Sequence, residues 1–112
     1  MIDLQIGYPP SANRIWRKYR GRMVRDPVYV DWLDREGWNI IQQMQGGVTG
    51  PYRLSIEAVK PDRRRRDLDN LIKPLSDLLK SVGVIEDDSD AQEIKMAWVQ
   101  SGPPVRVRVE KA

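Results

Sequence analysis

The stretch from Leu68 to Val82 constrains this chain more than any other. Leu68, Leu71, Ile72, Leu75, Leu79 and Val82 recur there at i, i+3, i+4 and i+7. That spacing lines one face of a helix with apolar side chains, and such a face must be buried against a second layer. Asp69, Lys73, Ser76 and Lys80 point the other way. Pro74 conflicts with the pattern, because a proline inside a helix costs about 3 kcal/mol. The conflict is eased if the helix starts near Asp69 or Asn70, which brings Pro74 close to the first turn. Gly83 supplies the stop.

Strands are expected on both sides of this helix. Tyr52, Leu54, Ile56 and Ala58 alternate with Arg53, Ser55 and Glu57, and Ile94, Met96 and Trp98 alternate with Glu93, Lys95 and Ala97. Period-two alternation is the mark of a half-buried strand. Ile2, Leu4 and Ile6 give a first strand, and Val105, Val107 and Val109 a last one. Asp26-Pro27 opens another helix, with Asp as cap and Pro in the first turn. Val30, Leu33, Ile40, Ile41 and Met44 line it, Gly37 weakens it and Gly46-Gly47 ends it. Trp32 and Trp98 are assigned to the core. The expected fold is α+β: one small mixed sheet of about four strands with two main helices, in the order β-α-β-α-β-β, forming one domain over residues 1–112. If the strands around the second helix are parallel neighbours, the crossover is right-handed.

The 112 residues are 40% hydrophobic, enough for a core, but a chain this small leaves much of its surface exposed and suits a dimer. There is no Cys and no His. Disulfides, Cys/His zinc sites, Cys nucleophiles, Ser-His-Asp triads and nucleases with a His base are therefore excluded. No stretch approaches the roughly 20 apolar residues of a membrane helix, and residues 1–8 do not read as a signal peptide. The expectation is a soluble, cytoplasmic protein with no membrane partner.

Lys and Arg number 19 against 16 Asp and Glu, a net charge of +3, and the charges are strongly segregated. Arg14, Arg17, Lys18, Arg20, Arg22 and Arg25 fall in a basic loop with no acid, interleaved with Trp16 and Tyr19. Residues 62–70 read Asp-Arg-Arg-Arg-Arg-Asp-Leu-Asp-Asn, whereas Glu86, Asp87, Asp88, Asp90 and Glu93 form an acidic stretch. Basic clusters suit phosphate contacts, and rings among them suit stacking on unpaired bases. Asp67 and Asp69 can share a metal ion if the segment is extended, because residues i and i+2 then point the same way. A helix would splay them by roughly 200°. All-oxygen ligation suits Mg²⁺ or Mn²⁺. Lys73 lies one turn beyond Asp69 and could carry phosphate charge. Each piece has a blander use: Asp-x-Asp as a solvated turn or cap, the arginine run as a solvated face, Lys73 as an i,i+4 partner of Asp69. An aspartyl phosphotransferase would need its first Asp at the end of an apolar strand, and Arg63 to Arg66 stand there instead.

The run Asp62-Arg63-Arg64-Arg65-Arg66-Asp67-Leu68-Asp69-Asn70-Leu71, followed by Lys73, Gly83 and Asp87-Asp88, resembles the RusA family of Holliday-junction resolvases. Pro9-Pro10-Ser11 with Asn13-Arg14 is similar to that family's N-terminal motif. The resemblance covers most of the chain. It implies a Mg²⁺-dependent endonuclease that acts as a homodimer and nicks four-way DNA junctions symmetrically. It assigns the metal-binding aspartates to Asp67, Asp69 and Asp88, the essential lysine to Lys73 and a DNA-contacting arginine to Arg66. The resemblance also implies that Asp88 reaches Asp67 and Asp69. Asn13, Arg14, Arg17, Arg63, Arg64 and Arg65 complete the expected DNA surface. Two departures are visible: Asp90 stands where the family typically has Gln, and Pro74 follows the lysine. The rival expectation is a non-catalytic DNA-binding module on the same fold.

Overall fold

The computed structural model describes residues 1–43 and 46–112, with the side chain of Ala12 left aside. Met44 of the expected first helix lies outside the described residues. In chain order the elements are β1 (Ile2–Ile6), β2 (Trp16–Tyr19), β3 (Arg22–Arg25), α1 (Pro27–Gln43), β4 (Tyr52–Ala58), α2 (Ile72–Ser81), β5 (Ala91–Trp98) and β6 (Val105–Lys111). Short 3₁₀ turns cover Ala12–Arg14, Leu68–Leu71 and Asp88–Asp90.

Four strands form one mixed sheet in the order β1-β6-β4-β5. β6 is antiparallel to both β1 and β4, while β4 and β5 are parallel neighbours joined through α2. The alternation read from sequence becomes two faces. Leu4, Ile6, Leu54, Ile56, Val105, Val107 and Val109 are buried on one. The other is laced with ions: Asp3 takes a bidentate pair of bonds from Arg106, at 3.0 and 2.7 Å, and Arg108 reaches both Asp3 and Glu57. The helices therefore cover a single face, and Tyr29, Trp32 and Ile40 of α1 with Leu75, Leu78 and Leu79 of α2 fill the core.

Local chemistry explains the ends of the elements. The Asp26 carboxylate accepts from the Val28 N–H at 2.9 Å and caps α1, as the sequence predicts. Gly83 has φ +78° and closes α2, with the Gly83 N–H bonding Lys80 O and the Val84 N–H bonding Leu79 O. This is the paired pattern that favours glycine just past a helix end.

Several expectations need correction. The α-helical part of the Leu68 segment begins at Ile72, not at Asp69 or Asn70, because Leu68–Leu71 form a 3₁₀ turn that lets Pro74 sit in the first α-turn. The basic stretch is not a loop but a two-stranded antiparallel hairpin, β2-β3, which adds two strands to the expected order. Its two-residue turn uses Arg20 at φ +50° and Gly21 at φ +77°, the positive φ pair of a type I′ turn. Val30 and Ile41 of the expected apolar stripe are exposed. Trp98 packs against the core as expected but is only partly buried, with the Lys60 ammonium over its ring. No helix among the described residues is long and apolar enough to cross a membrane.

Candidate nucleic-acid interface and active site

The two segments singled out by sequence meet in space. β1 ends at Ile6, which pairs with Val105, which in turn faces Ala58 at the end of β4. The chain leaving β1 and the chain leaving β4 therefore emerge at one edge of the sheet. They line a common cleft, with Tyr8, Pro9, Pro10, Ser11 and Asn13 on one side and Arg65, Arg66, Asp67, Asn70 and Leu71 on the other. Arg66 links the two walls. Its guanidinium bonds Asp62 at 2.8 and 3.3 Å and lies 5.6 Å from the Tyr8 ring centroid. This holds the Asp62 carboxyl below its ordinary range.

A buried carboxylate anchors the first wall. Glu36 of α1 accepts from the Gly7 N–H at 2.7 Å and from the Asn39 amide at 3.0 Å, with Arg35 at 3.2 Å. Trp32 donates to the Gly7 carbonyl. A methyl group on Gly7 would stand 2.8 Å from the Glu36 carboxylate, which would have to shift to make room. Burial opposes the Glu36 charge most strongly, yet the three donors together keep its carboxyl below the usual range.

The acidic residues are spread over two edges. Asp67 is extended (φ −82°, ψ 123°) and precedes the 3₁₀ turn that contains Asp69. The pair straddles a turn start, so neither the fully extended nor the helical expectation holds. Both carboxylates are exposed. Asp88 lies in the 3₁₀ turn just before Ala91, and Ala91 pairs with Tyr52 at the beginning of β4. Asp67 follows the end of β4, so the length of that strand, roughly 20 Å, separates the two edges. Among the described residues no three Asp or Glu side chains come close enough to hold a metal ion. The donors are hard, accessible oxygens of the kind Mg²⁺ takes. Within one chain, however, Asp88 does not reach Asp67 and Asp69 as the resemblance implies.

Lys73 pairs with Asp77 at 3.0 Å, one turn further along α2, and not with Asp69. Asp77 also accepts from the buried Tyr29 hydroxyl at 2.7 Å. Burial first, and this carboxylate second, push the Tyr29 hydroxyl far above its ordinary value. Asp87 caps the acidic turn by accepting from the Ser89 N–H at 2.9 Å, which is the chief cause of its lowered carboxyl pKa. Behind that turn lies Tyr52, wholly buried, whose hydroxyl has no hydrogen-bond partner among the described residues. Burial and then the charges of Asp88, Asp90 and Asp87 raise its pKa. Of the expected DNA surface, Asn13, Arg65 and Arg66 line the cleft, and Arg14, Arg64 and Arg66 line a second groove that shares Tyr8 with it. Arg17 is on the hairpin and Arg63 is exposed on the loop after β4. Glu36, Asp77 and Tyr29 were not legible as site residues, because each acts through a contact distant in sequence.

Residues 7–110 match the family model described as Endodeoxyribonuclease RusA. The chain belongs to the RusA endodeoxyribonuclease family. It is 36% identical over 106 residues to the crossover junction endodeoxyribonuclease RusA of Escherichia coli K12, covering 89% of this chain and 87% of that protein. The RusA of Aquifex aeolicus is 33% identical over 82 residues, 71% of this chain and 64% of that one. A RusA of Enterobacteria phage HK97 is 36% identical over 91 residues, 80% and 75% respectively. The matched region spans both walls of the cleft and the acidic turn.

Proposed function

We propose that this chain is a Mg²⁺-dependent, structure-specific endodeoxyribonuclease of the cytoplasm that resolves four-way DNA junctions by paired symmetric nicks. The observation that carries this reading is the cleft in which the Pro9-Pro10-Ser11 segment meets the Arg65-Arg66-Asp67 segment. The names of the relatives, crossover junction endodeoxyribonucleases, support the substrate. Arg63 to Arg66, Asn13, Arg14 and Arg17 contact phosphates and set the register of the DNA. Arg66 is held by Asp62 and Tyr8, so its orientation is fixed before DNA arrives. Asp67, Asp69 and Asp88 would hold the metal, and Lys73 stabilises charge on the phosphate. Once bound, the metal would polarise the scissile phosphate and lower the pKa of a bound water.

A homodimer is part of the proposal, and it reconciles the metal assignment with the separation of the carboxylates. β5 is an open edge. The Val99 N–H bonds Ala58 O, so by alternation Gln92, Ile94, Met96 and Trp98 turn their backbone groups outward. Antiparallel pairing of two β5 strands about Ile94 sets Glu93 opposite Lys95 twice, whereas centring on Glu93 or Lys95 sets like charges together. The same register carries Asp88 of the partner subunit toward the Trp98 end of β5, the edge that also bears Asp69. A two-fold dimer then matches the approximate two-fold symmetry of the junction.

The test is a synthetic four-way junction incubated with Mg²⁺ or with EDTA. Paired symmetric nicks with Mg²⁺ are expected, and none with EDTA. Asp69→Asn should abolish cleavage and keep binding, since it removes a carboxylate and leaves the basic surface. Normal cleavage by that variant would sink the mechanism. The separation of Asp67 from Asp88 within one chain favours a second reading, a DNA-binding module without catalysis. That reading predicts junction binding without nicks under every metal condition.

A further inference from the structure

The β2-β3 hairpin is built unlike the rest of the molecule. None of its eight strand residues is buried, and only Val24 is even partly covered. An isolated two-stranded hairpin is at best marginally stable in water, so its apolar residues are not there to form a core. Yet Trp16 is 50% exposed, Tyr19 50% and Met23 63%. Six cations share residues 14–25 with these side chains, and the first acid is Asp26.

The register shows how rings and cations are arranged. Trp16 lies directly across from Arg25, and the Arg25 guanidinium stands 5.4 Å from the Trp16 ring centroid. Arg25 is also 5.5 Å from the Tyr29 ring on α1, which ties the base of the hairpin to the body. The Asp26 N–H bonds Ile15 O at 2.8 Å and closes that base. Tyr19 is the last residue before the type I′ turn and projects from the face opposite Trp16, because the two are an odd number of strand positions apart. Arg17 and Arg20 lie 5.7 and 5.3 Å from its ring centroid. The tip thus offers a half-exposed ring amid cations at the end of a short arm.

We propose that this hairpin is the element that tells branched DNA from continuous duplex, with Tyr19 at the tip stacking on a base left unpaired at the branch and Trp16 supporting at the base. The proposal rests on the junction reading above and names the part of the surface that recognises the branch. Cations alone cannot do this, because phosphate contacts are made equally well to any duplex. Base faces are accessible only where stacking is broken, and an aromatic ring or a guanidinium plane gains there what it cannot gain on a closed helix.

The experiment measures binding in EDTA, so that cleavage plays no part. The probes are a synthetic four-way junction, a duplex of the same arm sequence and that duplex carrying a three-nucleotide gap. Wild type should prefer the junction and the gapped duplex. The double variant W16A/Y19A should lose about 10-fold or more on both while its affinity for intact duplex changes less than about 2-fold. The slope of log K against log salt should stay unchanged, since every cation remains. W16F/Y19F should restore the preference, because a ring is restored, and circular dichroism checks the fold of each variant. A double variant that keeps the preference, or a wild type that has none, overturns the proposal. Nicking is scored separately with Mg²⁺. A chain that discriminates but never nicks sinks the nuclease reading and leaves the hairpin standing.

Discussion

The Lys73 ammonium lies 3.0 Å from the Asp77 carboxylate. Lys73 is mostly in solvent while Asp77 is largely covered, with side chains 62% and 14% exposed. A pair of this kind contributes less than about 1 kcal/mol. Lys73→Ala should therefore leave the urea midpoint nearly unchanged and lower junction cleavage by about 100-fold, the scale for losing one group that stabilises developing charge. Asp77→Asn should do the reverse of this on stability. It weakens the acceptor of the buried Tyr29 hydroxyl and should cost about 1–2 kcal/mol in urea unfolding. Full cleavage by Lys73→Ala would remove this lysine from the chemistry.

Self-pairing of β5 is open to a direct check because the chain has no cysteine. Ile94→Cys places one thiol per chain on the two-fold axis, within disulfide reach across a hydrogen-bonded strand pair. Mild oxidation should give a covalent dimer, seen on a non-reducing gel. Glu93→Lys should weaken the dimer roughly 10-fold in light scattering, by setting like charges opposite each other twice, and the swap E93K/K95E should restore it. A dimer that forms normally in Glu93→Lys uses another surface.

Acid should weaken the Gly7 wall of the cleft. Glu36 is held below its ordinary pKa in the folded chain. Its contribution is therefore fully present at pH values above the unfolded pKa and is lost as pH falls through the folded one. Glu36→Gln should cost about 1–2 kcal/mol at pH 7, where the charged acceptor is lost. The gap between the two proteins should close as pH drops below about 4. A gap that is constant from pH 7 to pH 3 would mean that the carboxylate charge contributes nothing.

The Tyr52 hydroxyl is buried without a partner among the described residues, so Tyr52→Phe removes an unsatisfied group and keeps the ring. The variant should be as stable as wild type or more so, by up to about 1 kcal/mol. Thermal unfolding measures this. A loss of more than 1 kcal/mol would reveal a partner for the hydroxyl, with the neighbouring acidic turn the first place to look.

The amino-acid sequence determined the main elements because their causes are local. Alternation marked four strands, the Asp26 carboxylate capped α1, and Gly83 ended α2 with the backbone freedom that only glycine has. Part of the cleft was legible too, since Asn13, Arg65, Arg66 and Asp67 stand in the charged run and the N-terminal motif that carry the family resemblance. The hairpin was missed because its strands bury nothing and so show no apolar period. What marked it was Gly21 and a turn geometry that Arg20 also had to adopt. Tertiary structure alone decided which charges meet. Glu36 reaches Gly7 across 29 residues, and Asp77 takes both Lys73 and Tyr29. The parallel pairing of β4 and β5 puts Asp88 at one end of the sheet and Asp67 at the other, because a strand that returns parallel must begin where its neighbour began. Spacing along the chain carries no record of that.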